Sequence, residues 1–241
     1  MIKAVVALAL SVAAVDAAPV PREAATPRRV ALVFDDGPEP VQGRALQAVL
    51  AQEAVRVTFA HVGQRVEQHP EVSREAVAGG HEIVNHSHTH ARIAELDTEG
   101  VQEQVVRAQA AITTAIGAAP RWYWPPFLAL DQRLADSLAR ADLPLYVPHH
   151  LVDSQDWNRE ATNAGEIRRR ATTDVRDGSV LLFHEWREET IEQLPLILAE
   201  LRRQGCVFLT FSELKRELRT RPPELPADER TQAQFSIPRS P

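Results

Sequence analysis

The sequence predicts a single α/β domain folded as a distorted (β/α) barrel of about seven strand–helix units. Three observations lead there. Short apolar runs alternate with longer stretches whose apolar residues recur at helical spacing, the order expected of a parallel sheet. Seven or eight such units fit in about 190 residues. Polar clusters stand at the carboxyl ends of the runs, and in a barrel those ends converge on one mouth. The alternation by itself also admits a doubly wound open sheet.

The elements follow in order. RVALVF at 29–34 reads as a strand and 41–52 as a helix; 56–62 reads as a strand and 66–78 as a helix. EIVN at 82–85 is a short strand, and 98–116 a long helix with Val101, Val105, Ala108 and Ile112 on one face. A brief strand at 122–124 precedes a helix at 131–141, and 145–147 and 151–153 are short apolar pieces. A helix at 164–172, a strand at 179–184 and a helix at 190–204 come next, and the strand 206–210 and helix 212–218 close the domain.

The ends differ in composition. In MIKAVVALALSVAAVDAAPV, Lys3 precedes an apolar run over 4–15, and small residues follow around Ala17. This is the layout of a secretory signal peptide, and the run is short against the ~20 residues that span a bilayer. The expectation is an exported chain, periplasmic or secreted, with a signal peptide at 1–17, a leader at 18–28 and the domain at 29–220. The Pro-rich tail at 221–241 is too polar to bury enough surface to fold alone. No membrane span is expected once the signal is removed. Lys+Arg number 27 against 33 Asp+Glu, a net charge of -6, which gives no basic footprint for nucleic acid. Cys206, the single cysteine, lies in the apolar run CVFLTF, so an internal disulfide and a thiolate metal site are both excluded.

Five polar clusters carry the chemistry: FDDGP, NHSHTH, WPPF, DSQDW and HEW. Asp35 and Asp36 are adjacent at the tip of an apolar strand, where a Gly-Pro turn lets both swing toward the mouth. His86 and His90 are four apart, a spacing that puts both rings on one face of a helix's first turn. Two imidazoles and a carboxylate are a common Zn²⁺ set that leaves a position open for water. His88 is expected to point away, His81 to sit in a turn, and His149 and His150 to lie in an exposed loop. His184 at a strand tip can serve as general acid if Asp153 or Asp156 holds its tautomer.

These residues resemble the polysaccharide deacetylase family, carbohydrate esterase family 4. FDDGP at 34–38 resembles its first motif, HSHTH at 86–90 its His-[Ser/Thr]-x-x-His motif, and WPPF at 124–127 its Arg-Pro-Pro-Tyr-Gly motif. DSQDW at 153–157 and LFH at 182–184 resemble its Asp-x-x-Asp-Trp and Leu-x-His motifs, so the resemblance covers about 29–215. It implies a distorted barrel and a divalent metal, often Zn²⁺, with Co²⁺, Mn²⁺ or Ni²⁺ as alternatives. It implies Asp36, His86 and His90 as ligands, Asp35 as base, and His184 as acid supported by Asp156. Leu182 and Trp157 would line the acetyl pocket, and Phe127 would offer its N–H to the oxyanion. Trp124 and Pro125 are expected at the substrate, Trp124 as a surface for sugar stacking.

The implied reaction removes acetyl groups from N-acetylated sugars of a polysaccharide or oligosaccharide. Three positions depart from the family pattern: Trp124 stands where most relatives have Arg beside the base, Leu128 where they have Gly, and Glu185 where Asp is common. Without that Arg, Asp35 should be harder to ionise unless Arg133 or Arg187 reaches in. The alternatives are an O-acetyl esterase on a glycan, which would use the same residues, and a glycan-binding protein without activity. Retention of Asp35 and His184 argues against the second. A metallophosphatase fits poorly, since such sites usually hold two metals.

Overall fold

The computed structural model describes residues 26–223. The expected signal peptide, most of the leader and nearly all of the tail lie outside the described residues. Strand β1 (Arg28–Gly37) is followed by α1 (Gln42–Gln52), β2 (Thr58–His61), α2 (Gly63–Gln68), α3 (Pro70–Ala78) and β3 (Glu82–Asn85). Then come α4 (Thr98–Ile116), α5 (Gln132–Arg140), β4 (His150–Asp153), α6 (Ala164–Thr172), β5 (Ser179–His184), α7 (Glu188–Arg203), β6 (Cys206–Leu209) and α8 (Phe211–Thr220).

The strands form one parallel sheet in the order β3-β2-β1-β5-β4, with β6 also paired to β1. Strand β1 is long enough to serve three neighbours. Its first half pairs β6, its second half pairs β2, and β5 runs along its other edge. Single bridges from Asn85 to Tyr123 and from Tyr123 to Leu145 continue the wall beyond β3. The strands expected at 122–124 and 145–147 are therefore one bridge wide. Among the described residues no ladder joins Leu145 to β4, so the barrel is distorted and interrupted there.

Alternation along the strands sorts two cores. Val30, Leu32 and Phe34 face outward, where Phe59, Ile83, Leu181 and Phe183 join them against the helical layer. Leu46 and Leu50 of α1, Ile112 of α4, and Leu194, Ile197 and Leu201 of α7 cover this side. The intervening Ala31 and Val33 face inward with Ala60, Val84, Val180 and Leu182. That inner face is filled by Phe211, Leu214 and Leu218 of α8, together with Trp124 and Tyr146. The inward residues of β1 and β2 are small because a whole helix shares the interior with them.

Helix boundaries have local causes. Asp97, Asp131 and Asn163 each accept a backbone N–H at the starts of α4, α5 and α6, and Gly117 ends α4 with φ 76°. Thr210 and Glu213 form a capping box on α8. The single helix expected at 66–78 is two. His69, with φ -133° and ψ 56°, breaks it because a residue before proline is pushed off the helical region.

Candidate active site

Because the sheet is parallel, β1, β3, β4 and β5 deliver their carboxyl ends to one side. Register does part of the assembly: Asp35 is the direct partner of His184, and Asp153 of Leu182. The pocket there, about 350 Å³, is lined by Asp35, Asp36, His90, Phe127, Leu128, Asp153, Trp157, Leu182, His184 and Trp186. Of the expected site residues, His86 lies just beneath it and is buried, and Asp156 is buried behind His184. Pro125 is buried and does not line the pocket.

A bulge brings the two aspartates to one face. Between the pairs Phe34–Phe59 and Gly37–His61, β1 has one residue more than β2, and Asp36 takes φ 70°. Strand β1 thus runs through FDDG instead of ending at Phe34. Gly37 has no room for a side chain, since a Cβ would lie 1.8 Å from Glu185 Oε2. Glu185 faces away from the pocket. It accepts the Glu39 N–H at 2.8 Å and lies 3.3 Å from His61 Nε2, which ties the loop after β1 to β2.

His86 and His90 meet as expected, but not on a helix. Residues 86–90 form a bend in which Ser87 (φ 64°) and His90 (φ 58°) are left-handed. Ser87 Oγ accepts the His90 N–H at 3.0 Å, and Asn85 Oδ1 accepts the Ser87 N–H at 3.0 Å. The loop therefore curls the two rings together, with centroids 5.1 Å apart. His88 points away and is buried beside Glu67. His81 is buried too, taking the Val57 N–H on Nδ1. His150 lies in β4 and bonds Ser179; it is not the loop residue expected.

Asp36, His86 and His90 offer ligand atoms that all lie within 4.8 Å of one another. His86 Nδ1 faces the Trp124 carbonyl at 2.7 Å; a carbonyl only accepts, so Nδ1 carries the proton and Nε2 presents a lone pair. That Nε2 is buried without a hydrogen-bond partner, and so is Asp36 Oδ1, 3.5 Å away. His90 Nε2 is 3.0 Å from the same oxygen. Ligand atoms around a tetrahedral ion with bonds of ~2.1 Å sit ~3.4 Å apart. The three residues therefore fit one divalent ion. Burial works against the Asp36 charge, but the adjacent His86 and His90 rings outweigh it and hold the carboxyl well below the usual range.

Asp35 stands beside this set with a different environment. Burial pushes its carboxyl up to about 6, against the pull of His86 and His184. Trp124 Nε1 donates to Asp35 Oδ2 at 2.9 Å, while Oδ1 has no hydrogen-bond partner. Trp124 is not the sugar-stacking surface expected. Its ring is 1% exposed and packs on Tyr146 and Phe211 inside the barrel, so it offers no stacking surface. Neither Arg133 nor Arg187 reaches Asp35. The first is held by Asp131 and the Ile93 carbonyl, the second by the Thr162 carbonyl and Glu189.

His184 is held from behind. Its Nδ1 meets Asp156 Oδ1 at 2.7 Å, its N–H donates to Asp156 Oδ2 at 2.9 Å, and Thr190 Oγ1 donates to Oδ2 at 2.7 Å. Asp156, not Asp153, is thus the partner. Burial disfavours the charged ring, but the Asp156 bond and the surrounding carboxylates raise His184 to about 9. Asp153 instead lies at the pocket wall, accepting the Trp157 indole N–H at 3.4 Å. Phe127 and Leu128 cross the rim with φ 56° and 53°, although neither is glycine. Trp186 was not singled out from the sequence as a functional residue. Its place two residues after His184, at the end of HEW, was the available signal, and its indole donates to Asp36 Oδ2 at 2.8 Å.

A carboxylate–bis-histidine set beside a second carboxylate and a buttressed imidazole, at the mouth of a (β/α) barrel, defines a metal-site hydrolase architecture. The sequence model of the polysaccharide deacetylase family matches residues 22–146. The chain is 30% identical over 192 residues to the peptidoglycan-N-acetylglucosamine deacetylase of Listeria monocytogenes, a match covering 80% of this chain and 40% of that protein. It thus spans well under half the length of that relative. It is 31% identical over 208 residues to the chitooligosaccharide deacetylase of Sinorhizobium fredii, covering 80% of this chain and 95% of that one. Among solved structures, the family 4 acetyl xylan esterase of Clostridium thermocellum, in complex with a cobalt ion, superposes with a TM-score of 0.70 at 31% identity. That match covers 78% of this chain and 90% of the esterase. The chain belongs to the polysaccharide deacetylase family.

Proposed function

We propose that this chain is a metal-dependent deacetylase that hydrolyses the acetamide of N-acetylated sugars in a glycan, releasing acetate and a free amine. The observation that carries the reading is the convergence of Asp36, His86 and His90 with Asp35 and the Asp156-held His184 around one pocket. Asp36, His86 and His90 would hold the ion, with Zn²⁺ best suited to the donor set and Co²⁺, Mn²⁺ or Ni²⁺ as alternatives. When bound, the ion supplies a Lewis acid that polarises the acyl carbonyl and acidifies the attacking water.

The chain's own groups do the rest. Asp35, with Oδ1 free, takes the water proton; a carboxyl lifted to about 6 is closer to neutrality than an ordinary aspartate and is the stronger base. The carbonyl carbon gains the water oxygen, and the Phe127 N–H meets the developing oxyanion. His184, held by Asp156 through Nδ1, turns Nε2 to the pocket and protonates the leaving nitrogen as the C–N bond breaks. Leu182 and Trp157 wall the space for the acetyl methyl. Export rests on the reading of residues 1–17 as a signal peptide. Among the described residues no helix is long and apolar enough to cross a membrane.

The test is a panel of N-acetylated oligosaccharides and O-acetylated xylan, assayed for acetate and for new primary amine. Acetate with an equal amount of amine is expected. Acetate from xylan alone, with no amine from any N-acetylated glycan, would assign an esterase instead.

A further inference from the structure

We propose that two indoles divide the labour of the adjacent aspartates: Trp186 orients Asp36 as a metal ligand, and Trp124 holds Asp35 out of the ion's coordination as the base. The inference rests on the metal-dependent reading above. Asp35 and Asp36 are chemically identical neighbours that open on the same pocket. What differs is which oxygen each has left to offer.

At Asp36, the Trp186 N–H occupies Oδ2 at 2.8 Å. The other oxygen, Oδ1, is the buried, unbonded one, 3.0 Å from His90 Nε2 and 3.5 Å from His86 Nε2. Trp186 thereby turns Asp36 to present a single oxygen to the ligand set. At Asp35 the arrangement is reversed. The oxygen nearest His86 is Oδ2, 3.7 Å from its Nε2, and it is the one that the Trp124 N–H occupies at 2.9 Å. Oδ1 is left without a partner. An indole suits both tasks, because it carries one donor and no charge, so it fixes an oxygen without neutralising the carboxylate. Both rings are themselves held. Trp124 packs against Phe211 and Tyr146, and Trp186 lies under the Arg159 guanidinium at 4.8 Å. Trp124 also fixes the ligand side through its carbonyl, which takes the His86 Nδ1 proton at 2.7 Å.

Both are positioning residues, and the prediction is a crossed pattern. Zinc affinity of the metal-free chain, measured by competition with a chromophoric chelator, should fall ~10–100-fold in Trp186→Phe. It should change by less than ~3-fold in Trp124→Phe, on the same scale of outer-shell effects. On an N-acetylated chito-oligosaccharide, Trp124→Phe should lower kcat ~10–100-fold, the scale for losing a hydrogen bond to a charged group. Added zinc should not restore it, whereas the activity of Trp186→Phe should rise with added zinc. Thermal melting of the metal-free variants reports whether each folds. If Trp124→Phe does not fold, benzothienylalanine at the same position keeps the ring shape and removes the donor. Folded Trp186→Phe protein that binds zinc like wild type would overturn the inference, as would equal zinc loss in both variants. A wild-type chain that binds no zinc would remove the metal-dependent reading itself, and this inference with it.

Discussion

Asp35→Asn is expected to lower kcat/KM by ~10²–10⁴-fold, the usual worth of a positioned general base, while the chain keeps its metal. The substitution conserves shape, and the carboxamide oxygen can still accept the Trp124 N–H that reaches Oδ2 at 2.9 Å. What is lost is the unpartnered Oδ1 that takes the proton. Asp36→Asn is expected to lose activity and metal together, because Asp36 Oδ1 is the oxygen shared with His86 and His90. Elemental analysis of the two purified variants beside their rates checks the assignment. Equal metal loss in both would show that the pair is wrongly assigned, and loss in Asp35→Asn alone would mean that base and ligand are exchanged.

The second large effect concerns His184. Its acid form is the one that protonates the leaving nitrogen, and that form is held up to about 9, against burial, by the bond to Asp156 and the nearby carboxylates. Activity should therefore persist to alkaline pH and fall as pH rises through about 9. Asp156→Asn removes the charge and leaves the desolvation, so the alkaline limb should move to lower pH by ~1–3 units. The maximal rate should fall as well, since His184 loses its fixed tautomer. The sign for stability is the same. A His raised in the folded state contributes stability that is complete below its unfolded value of ~6.5 and is lost as pH climbs through the folded value. The wild-type chain should thus lose thermal stability between neutral pH and about 9 more steeply than Asp156→Asn does. A pH–rate profile whose alkaline limb is identical in the two proteins would contradict the role of Asp156.

Much of this arrangement was legible in the sequence, for definable reasons. The elements at Glu82–Asn85, Thr98–Ile116, Ala164–Thr172 and Ser179–His184 fall on the residues expected, because each couples a clean apolar period to a terminator or cap in the chain itself. The convergence of five polar clusters followed from parallel strands alone. The placement of α8 did not follow. Its amphipathic pattern says that one face is buried, but not that the face turns inward to fill the barrel with Phe211, Leu214 and Leu218. Trp124 was misplaced for the same reason. A tryptophan after a strand can point to either side, and only the packing against Phe211 and Tyr146 turns the ring inward and its N–H onto Asp35. His86 and His90 meet as their spacing suggested, but on a different backbone. Two left-handed residues, Ser87 and His90, bring together what a helical turn would also have done.

Two of the three family departures are absorbed locally. The loss of a cation at position 124 leaves Asp35 with a neutral donor, and burial then raises its carboxyl to about 6. Glu185 reaches away from the pocket between the end of β1 and the start of α1, where Gly37 and Gly43 leave room for its longer side chain. Leu128 holds a left-handed backbone, at φ 53°, that glycine would adopt without cost.

On the proposed function this pocket hydrolyses an N-acetyl group with a divalent ion that Asp36, His86 and His90 would hold. The direct measurement is acetate and amine release from an N-acetylglucosamine oligosaccharide by the protein as purified, after chelation, and after return of one equivalent of zinc. Equal yields of acetate and amine are expected, with loss of both on chelation and recovery on adding zinc to wild type but not to His86→Ala. Release that is indifferent to chelation, or that recovers equally in His86→Ala, would contradict the proposed function.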